Sequence, residues 1–230
     1  VSLEVSPRHA HDTESTVAHA RRLWEAVGRR NLMVKIPGTR EGLAAIERCL
    51  TLGIHVNVTL LFSVARYREV SDAYLAALGA RRVKGLPLDA LGSVASFFVS
   101  RVDSAIDAIL EKRSEPEAKA LLGKAAIANA KLAYQHGKKV FSSARFNALK
   151  SKGALAQRLL WASTGTKNPI YRDTLYVEEL IGLDTVNTMP PATVDAYRAH
   201  GAGRFSIEEN TLEAGVQWNA LPRFGVDREA

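Results

Sequence analysis

The 230-residue sequence contains a single cysteine, Cys49, which leaves no intramolecular disulfide to form and fits a reducing compartment. No apolar run approaches the ~20 residues that a membrane-spanning helix requires. The first residues lack the basic region and apolar stretch of a secretion signal. With 16 glycines and 8 prolines, the chain is too poor in both for a collagen-like or low-complexity protein. Neither G-x-G-x-x-G nor G-x-x-x-x-G-K-[ST] occurs, so the common glycine-rich phosphate loops are missing. These absences leave a soluble globular protein, expected in the cytoplasm, with 47% hydrophobic and 24% charged residues. That length suffices for one sizeable core.

Acid is also missing, but only locally. Residues 118–172 hold no Asp or Glu and eleven basic residues, among them Lys131, Arg145 and Lys167. The remaining chain carries 20 of the 31 basic residues against all 24 acidic ones, so it is slightly acidic. The net charge of +7 therefore comes entirely from one stretch. Such a one-sided field suits an anionic ligand, either a nucleic acid or a small phosphorylated molecule. A solvated helix surface accounts for the same charge without any ligand.

Short apolar, β-rich runs alternate with helical periodicity. The runs are 1–6, 32–36, 54–61, 93–99, 158–162 and 185–189. Between them Val17, Ala20, Trp24 and Val27 share one helical face, and Leu43, Ile46 and Leu50 share another, ended by Gly53. Ser114-Glu115-Pro116-Glu117 reads as a capping box opening a long helix towards Gly137. Strands alternating with helices predict parallel βαβ units, and their continuous apolar character predicts cover on both faces. A doubly wound sheet and a (β/α)8 TIM barrel both fit. Polar residues at the C-terminal ends of several different strands favour the barrel, as one catalytic domain over 1–230. A complete barrel needs eight strands and ~250 residues. Only six strands are legible, so the first two are expected to be missing from the chain as given.

Lys35 is the sharpest single feature, because it interrupts the apolar strand Met33-Val34-Lys35-Ile36 just before Pro37-Gly38 turns the chain out. A partly desolvated lysine favours its neutral amine, which can attack a carbonyl and form a Schiff base. A lysine snorkelling at a barrel rim, or paired structurally with Glu4, is the competing reading. Glu4 occupies the equivalent place on the first strand and could relay protons through a water. Asn57 and Thr59, two apart on one strand, point to one side, where they could bind substrate hydroxyls or that water. Ser96-Phe97-Phe98-Val99-Ser100-Arg101 combines hydroxyls, a guanidinium and the start of a helix. Ser163-Thr164-Gly165-Thr166-Lys167 adds hydroxyls and a cation after a late strand. Both segments suit a phosphate. His9-Ala10-His11 has the spacing of a metal pair, but no histidine or carboxylate set completes three ligands, so no metal is expected.

Leu3-Glu4-Val5-Ser6-Pro7, Met33-Val34-Lys35-Ile36-Pro37-Gly38-Thr39, Asn57-Val58-Thr59-Leu60-Leu61-Phe62-Ser63, the Ser96–Arg101 segment and Trp161-Ala162-Ser163-Thr164-Gly165-Thr166-Lys167-Asn168-Pro169 together resemble transaldolases, most closely their longer bacterial subgroup. The resemblance runs in order to about residue 200. It implies a class I aldolase type of TIM barrel that moves a dihydroxyacetone unit between sugar phosphates through a lysine Schiff base, without a cofactor, in the non-oxidative pentose phosphate pathway. By that resemblance Lys35 is the nucleophile, and Glu4 is the acid/base acting through a water held with Thr59. Asn57 and Ser96 contact substrate, and Arg101 and Ser163 hold its phosphate. Where the better-known subgroup has an arginine just after its equivalent of Ser163, this chain has Thr164-Gly165, and Lys167 is assigned that role by inference. The family's first strand carries a proton-transferring aspartate and its second an asparagine before a proline. Neither lies within these 230 residues, and the segment 224–230 is expected to stop before the last family helix. The chain as given is therefore expected to be impaired in turnover. Sugar phosphates are the expected partners, with no nucleic acid and no membrane, and a homodimer is the candidate assembly. A fructose-6-phosphate-type aldolase of the same superfamily is the nearest alternative. A non-catalytic anion binder using 118–172 is the more distant one.

Overall fold

A computed structural model describes residues 1–228; Glu229 and Ala230, the end of the segment expected to stop short of a last helix, lie outside them. Strands and helices alternate along the chain: β1 (Ser2–Glu4), α1 (Thr13–Val27), β2 (Met33–Pro37), α2 (Arg40–Thr51), β3 (Val56–Leu61), α3 (Val64–Val83) and β4 (Ser93–Phe98). These are followed by α4 (Val99–Leu110), α5 (Pro116–Lys119), α6 (Ala125–Phe141), α7 (Ala144–Lys150), β5 (Arg158–Ala162), α8 (Leu175–Glu179), β6 (Thr185–Asn187), α9 (Pro191–His200) and α10 (Thr211–Ala220). The strands neighbour one another in chain order, β1-β2-β3-β4-β5-β6. β1 with β2, β2 with β3, and β5 with β6 run parallel, as βαβ connections require. All six expected strands are present, each within two residues at its start.

The chain forms two compact units: Val1–Leu61 with Ala65–Ser96 and Gly137–Arg158, and Phe62–Val64 with Phe97–His136 and Leu159–Ala230. In the first, Val34, Ile36, Val56 and Val58 of the strands are fully buried with Ile46, Leu50, Tyr67 and Leu78 of the helices. In the second, Trp161, Tyr176 and Phe97 are the largest fully buried side chains, with the Phe97 and Trp161 rings 6.1 Å apart. Cover on both faces holds for β3, β4 and β5 but not for β1, whose three residues are exposed, nor for β6, which is half-buried. Each of those two strands has only one neighbour. No helix among the described residues is long and apolar enough to cross a membrane.

The structure corrects the expected helix after residue 114. Glu115, not Ser114, occupies the N-cap, without a side-chain hydrogen bond, and the helix stops at Lys119. A separate helix runs from Ala125 through Gly137 to Phe141. The break is at Gly123, whose φ of +70° favours glycine and where a Cβ would lie 2.8 Å from the Tyr171 ring. Side chains of α4 stabilise the new start: Asp107 Oδ1 accepts from Gly123 N at 3.1 Å, and Asp103 Oδ1 accepts from Ala126 N at 2.7 Å. A distant carboxylate thus supplies the cap that the local motif does not.

Asp103 also accepts from the Tyr176 hydroxyl at 2.8 Å, and burial pushes its carboxyl up to about 7, from 3.8 in an unperturbed aspartate. Folding therefore takes up a proton between about pH 4 and pH 7, so stability should fall as pH rises through that window, by up to about 1.4 kcal/mol per pH unit. Asp103→Asn mimics the protonated form, since its amide can accept from Ala126 N and donate to Tyr176. In urea melts at about pH 4.5 and about pH 7, the variant should lose less stability than the parent. Equal losses would contradict this account.

Candidate functional site

In the first unit the parallel register places Glu4 opposite Lys35, Lys35 opposite Asn57, and Pro37 opposite Thr59. Paired side chains of parallel strands leave the sheet on the same side, so three strands contribute to one row. Lys35 Nζ lies 3.7 Å from Glu4 Oε2, with the lysine side chain 26% and the glutamate 51% exposed. Val34 and Ile36, on the other side of β2, are fully buried and fix which way the lysine points. The turn leaving β2 is tightly built. Thr39 Oγ1 caps α2 by accepting from Gly42 N at 3.0 Å, and a Cβ at Gly42 would meet Pro37 O at 2.1 Å.

Beside this pair runs a polar chain from the exposed Ser2 to the buried Asn57 and Ser96. Asn57 Nδ2 donates to Ser2 Oγ at 3.0 Å, and Ser96 Oγ donates to Asn57 Oδ1 at 2.6 Å. The structure thus joins Asn57 and Ser96 and adds Ser2, which the sequence does not single out. Thr59 is fully buried, and its hydroxyl has no hydrogen-bond partner among the described residues. An orphaned hydroxyl in that position is costly unless a water or substrate oxygen serves it. The next residue, Leu60, has a φ of 59°, a strained conformation for a non-glycine residue inside a strand.

In the second unit Ser163 meets the first turn of α4 at Ser100, the chain neighbour of Arg101. Ser100 N donates to Ser163 O at 3.0 Å, and the Ser100 and Ser163 hydroxyls are 2.9 Å apart. Arg101 is exposed, with its guanidinium carbon 5.2 Å from the centroid of the Phe98 ring. The N-cap of α4 is Phe98, which provides no side-chain hydrogen bond to the start of the helix. Ser163 itself sits at φ 56°, a second strained position directly after a strand.

Lys167 lies elsewhere. It lines a cavity of about 220 Å³ with Asp103, Asp107 and Glu111, whereas Arg101 lines another of about 440 Å³ with Phe62, Ile106 and Trp218. The structure does not bring the two cations to one cavity. Thr164 is fully buried and donates to Asn187 Oδ1 at 2.8 Å. A Cβ on Gly165 would lie 3.0 Å from Thr193 Oγ1. A long basic side chain at either position would displace its neighbours, which accounts for the absence of arginine there. His11 Nδ1 pairs with Glu41 Oε2 at 3.1 Å, and the His9 ring packs edge-on against His19. Among the described residues no group of three or more His, Cys, Asp or Glu could hold a metal ion.

The family described as transaldolase/fructose-6-phosphate aldolase matches the sequence across residues 1–230. A transaldolase of Thiobacillus denitrificans is 52% identical over 230 residues, covering 100% of this chain and 64% of the relative. Transaldolase 1 of Streptomyces avermitilis is 57% identical over 215 residues, 94% of this chain and 56% of the relative. A transaldolase of Thermobifida fusca is 59% identical over 201 residues, 87% of this chain and 55% of the relative. The chain thus spans between 55% and 64% of the length of these relatives. The matching family has a TIM-barrel aldolase fold, and the six-stranded parallel α/β arrangement is consistent with part of one.

The polar chain has a direct test. Ser96→Ala leaves the buried Asn57 carbonyl without its donor and should cost about 1–3 kcal/mol in a urea melt. A change within about 0.3 kcal/mol would show that the Ser96–Asn57 bond contributes no net stability.

Proposed function

Because the chain belongs to the transaldolase/fructose-6-phosphate aldolase family, we propose that it serves the transaldolase reaction. A three-carbon dihydroxyacetone unit passes from sedoheptulose 7-phosphate to glyceraldehyde 3-phosphate, giving erythrose 4-phosphate and fructose 6-phosphate. The observation that carries this reading is Lys35 Nζ at 3.7 Å from Glu4 Oε2 on the neighbouring strand.

In this reading the neutral Lys35 amine attacks the C2 carbonyl of the donor ketose, and the carbinolamine loses water to give a protonated Schiff base. The C4 hydroxyl then gives up its proton, the role of the family's first-strand aspartate. The C3–C4 bond breaks with its electron pair flowing into the iminium, and the aldose leaves as the aldehyde. The enamine that remains adds to the acceptor aldehyde, and hydrolysis returns the amine. Glu4 moves protons through a water that the Thr59 hydroxyl also binds, which would satisfy the orphaned Thr59 oxygen. Asn57, oriented by Ser2 and Ser96, bonds substrate hydroxyls. Arg101 and Ser163 take the phosphate, assisted by the first amides of α4. Lys167, which lines a cavity with Asp103, Asp107 and Glu111, has the weakest support for that role. The amine carries the chemistry, so the reaction requires no redox or metal cofactor. We place the protein in the cytoplasm and in the pentose phosphate pathway. The buried Cys49, whose thiol burial pushes up to about 12, is in keeping with a reduced, unreactive cysteine.

The protein at its natural length should form fructose 6-phosphate from sedoheptulose 7-phosphate and glyceraldehyde 3-phosphate, and Lys35→Ala should lower that rate more than about a thousandfold. Unchanged turnover by the variant would overturn the reading. Free dihydroxyacetone released from fructose 6-phosphate without an acceptor would instead assign the aldolase branch of the family.

A further inference from the structure

Asn129 lies in the second turn of α6, only 2% exposed, and no step of the proposed reaction uses it. Its Nδ2 donates to the backbone carbonyl of Phe62 at 2.8 Å, while its Oδ1 has no partner among the described residues. A buried amide with an unpaired acceptor is a liability for stability, and an apolar residue of similar size would avoid it. What that amide does in the structure is hold the Phe62 carbonyl in place.

Phe62 is the first residue after β3 in the chain. Its ring lies 5.9 Å from that of Phe98, inclined at 49°, and the Arg101 guanidinium carbon lies 5.2 Å from the Phe98 centroid. Phe62 and Arg101 also line the same cavity of about 440 Å³. All four residues belong to the second unit. Together they form a chain of contacts from a buried donor, through a fixed backbone and two aromatic rings, to an exposed cation.

We propose that Asn129 is a positioning residue for phosphate binding, acting through Phe62 and Phe98 to hold the Arg101 guanidinium ready for the substrate's phosphate. The inference rests on the role proposed for Arg101. An arginine side chain on its own visits many rotamers, and ordering it on binding weakens affinity. A guanidinium already resting over an aromatic face has less freedom left to lose. Fixing the Phe62 carbonyl fixes the ring that supports that face. Asn129 would therefore set the affinity for the phosphorylated end of the substrate without touching it.

The test is calorimetric titration with fructose 6-phosphate of the protein at its natural length, its Arg101→Ala, Asn129→Ala and Phe62→Leu variants, and the Asn129→Ala/Arg101→Ala double variant. Asn129→Ala and Phe62→Leu should each weaken binding by about threefold to tenfold. In the double variant the Asn129 change should add almost nothing to the loss from Arg101→Ala, because its effect passes through the guanidinium. Phe62→Leu preserves the test if Asn129→Ala fails to fold. Full binding by both Asn129→Ala and Phe62→Leu would overturn the inference, as would losses that add fully to that of Arg101→Ala, and either would leave the role of Arg101 intact. If Arg101→Ala binds as well as the parent, or the parent does not bind, the reading beneath it fails and the inference falls with it.

Discussion

In parallel strands a pair of residues in register leave the sheet on the same side, and the pairing of Glu4 with Lys35 depends on that rule. A slip of one residue between β1 and β2 would turn one member of the pair to the opposite face. The register is held by what lies behind it: Val34 and Ile36, completely buried, keep Lys35 on the opposite side of β2. The same rule extends the row to Asn57 on β3. From there the hydrogen bonds of Asn57 to Ser2 and Ser96 stiffen the floor beside the amine. The chemistry proposed for Lys35 is thus a consequence of sheet geometry, with the helices acting as the clamp.

Two positions show where the fold gives up local comfort. Leu60, next to Thr59 at the C-terminal end of β3, and Ser163, directly after β5, both adopt a left-handed backbone that disfavours a side chain. Such outliers persist only where surrounding structure over-determines them, and they gather at functional positions. Their coincidence with an unpartnered buried hydroxyl on Thr59 and with the Ser100–Ser163 contact gives these two turns more weight than sequence spacing alone.

Much of this was legible in the sequence because continuous apolar runs alternating with helical periodicity are strong signals. The six strands follow from them, and so does the lysine that breaks one of them. Less legible was anything decided by contacts distant in the chain. The Ser114–Glu117 motif has the composition of a capping box, yet the helix that matters begins at Ala125, capped by Asp103 from twenty-odd residues earlier. Ser2 and Asn129 have ordinary sequence neighbourhoods, and their roles appear only when partners on other elements are known. Lys167, recommended for phosphate by its place after a late strand, lines a cavity with Asp103, Asp107 and Glu111, and local charge pattern does not reveal which carboxylates share that cavity.

The account as a whole turns on Lys35 acting as a covalent nucleophile. Borohydride reduction of the protein in the presence of fructose 6-phosphate, followed by peptide mass mapping, measures this most directly. The account predicts a reduced dihydroxyacetone adduct on the peptide that contains Lys35 and on no other. An adduct on a different lysine, or none under conditions where the protein turns over, would contradict it.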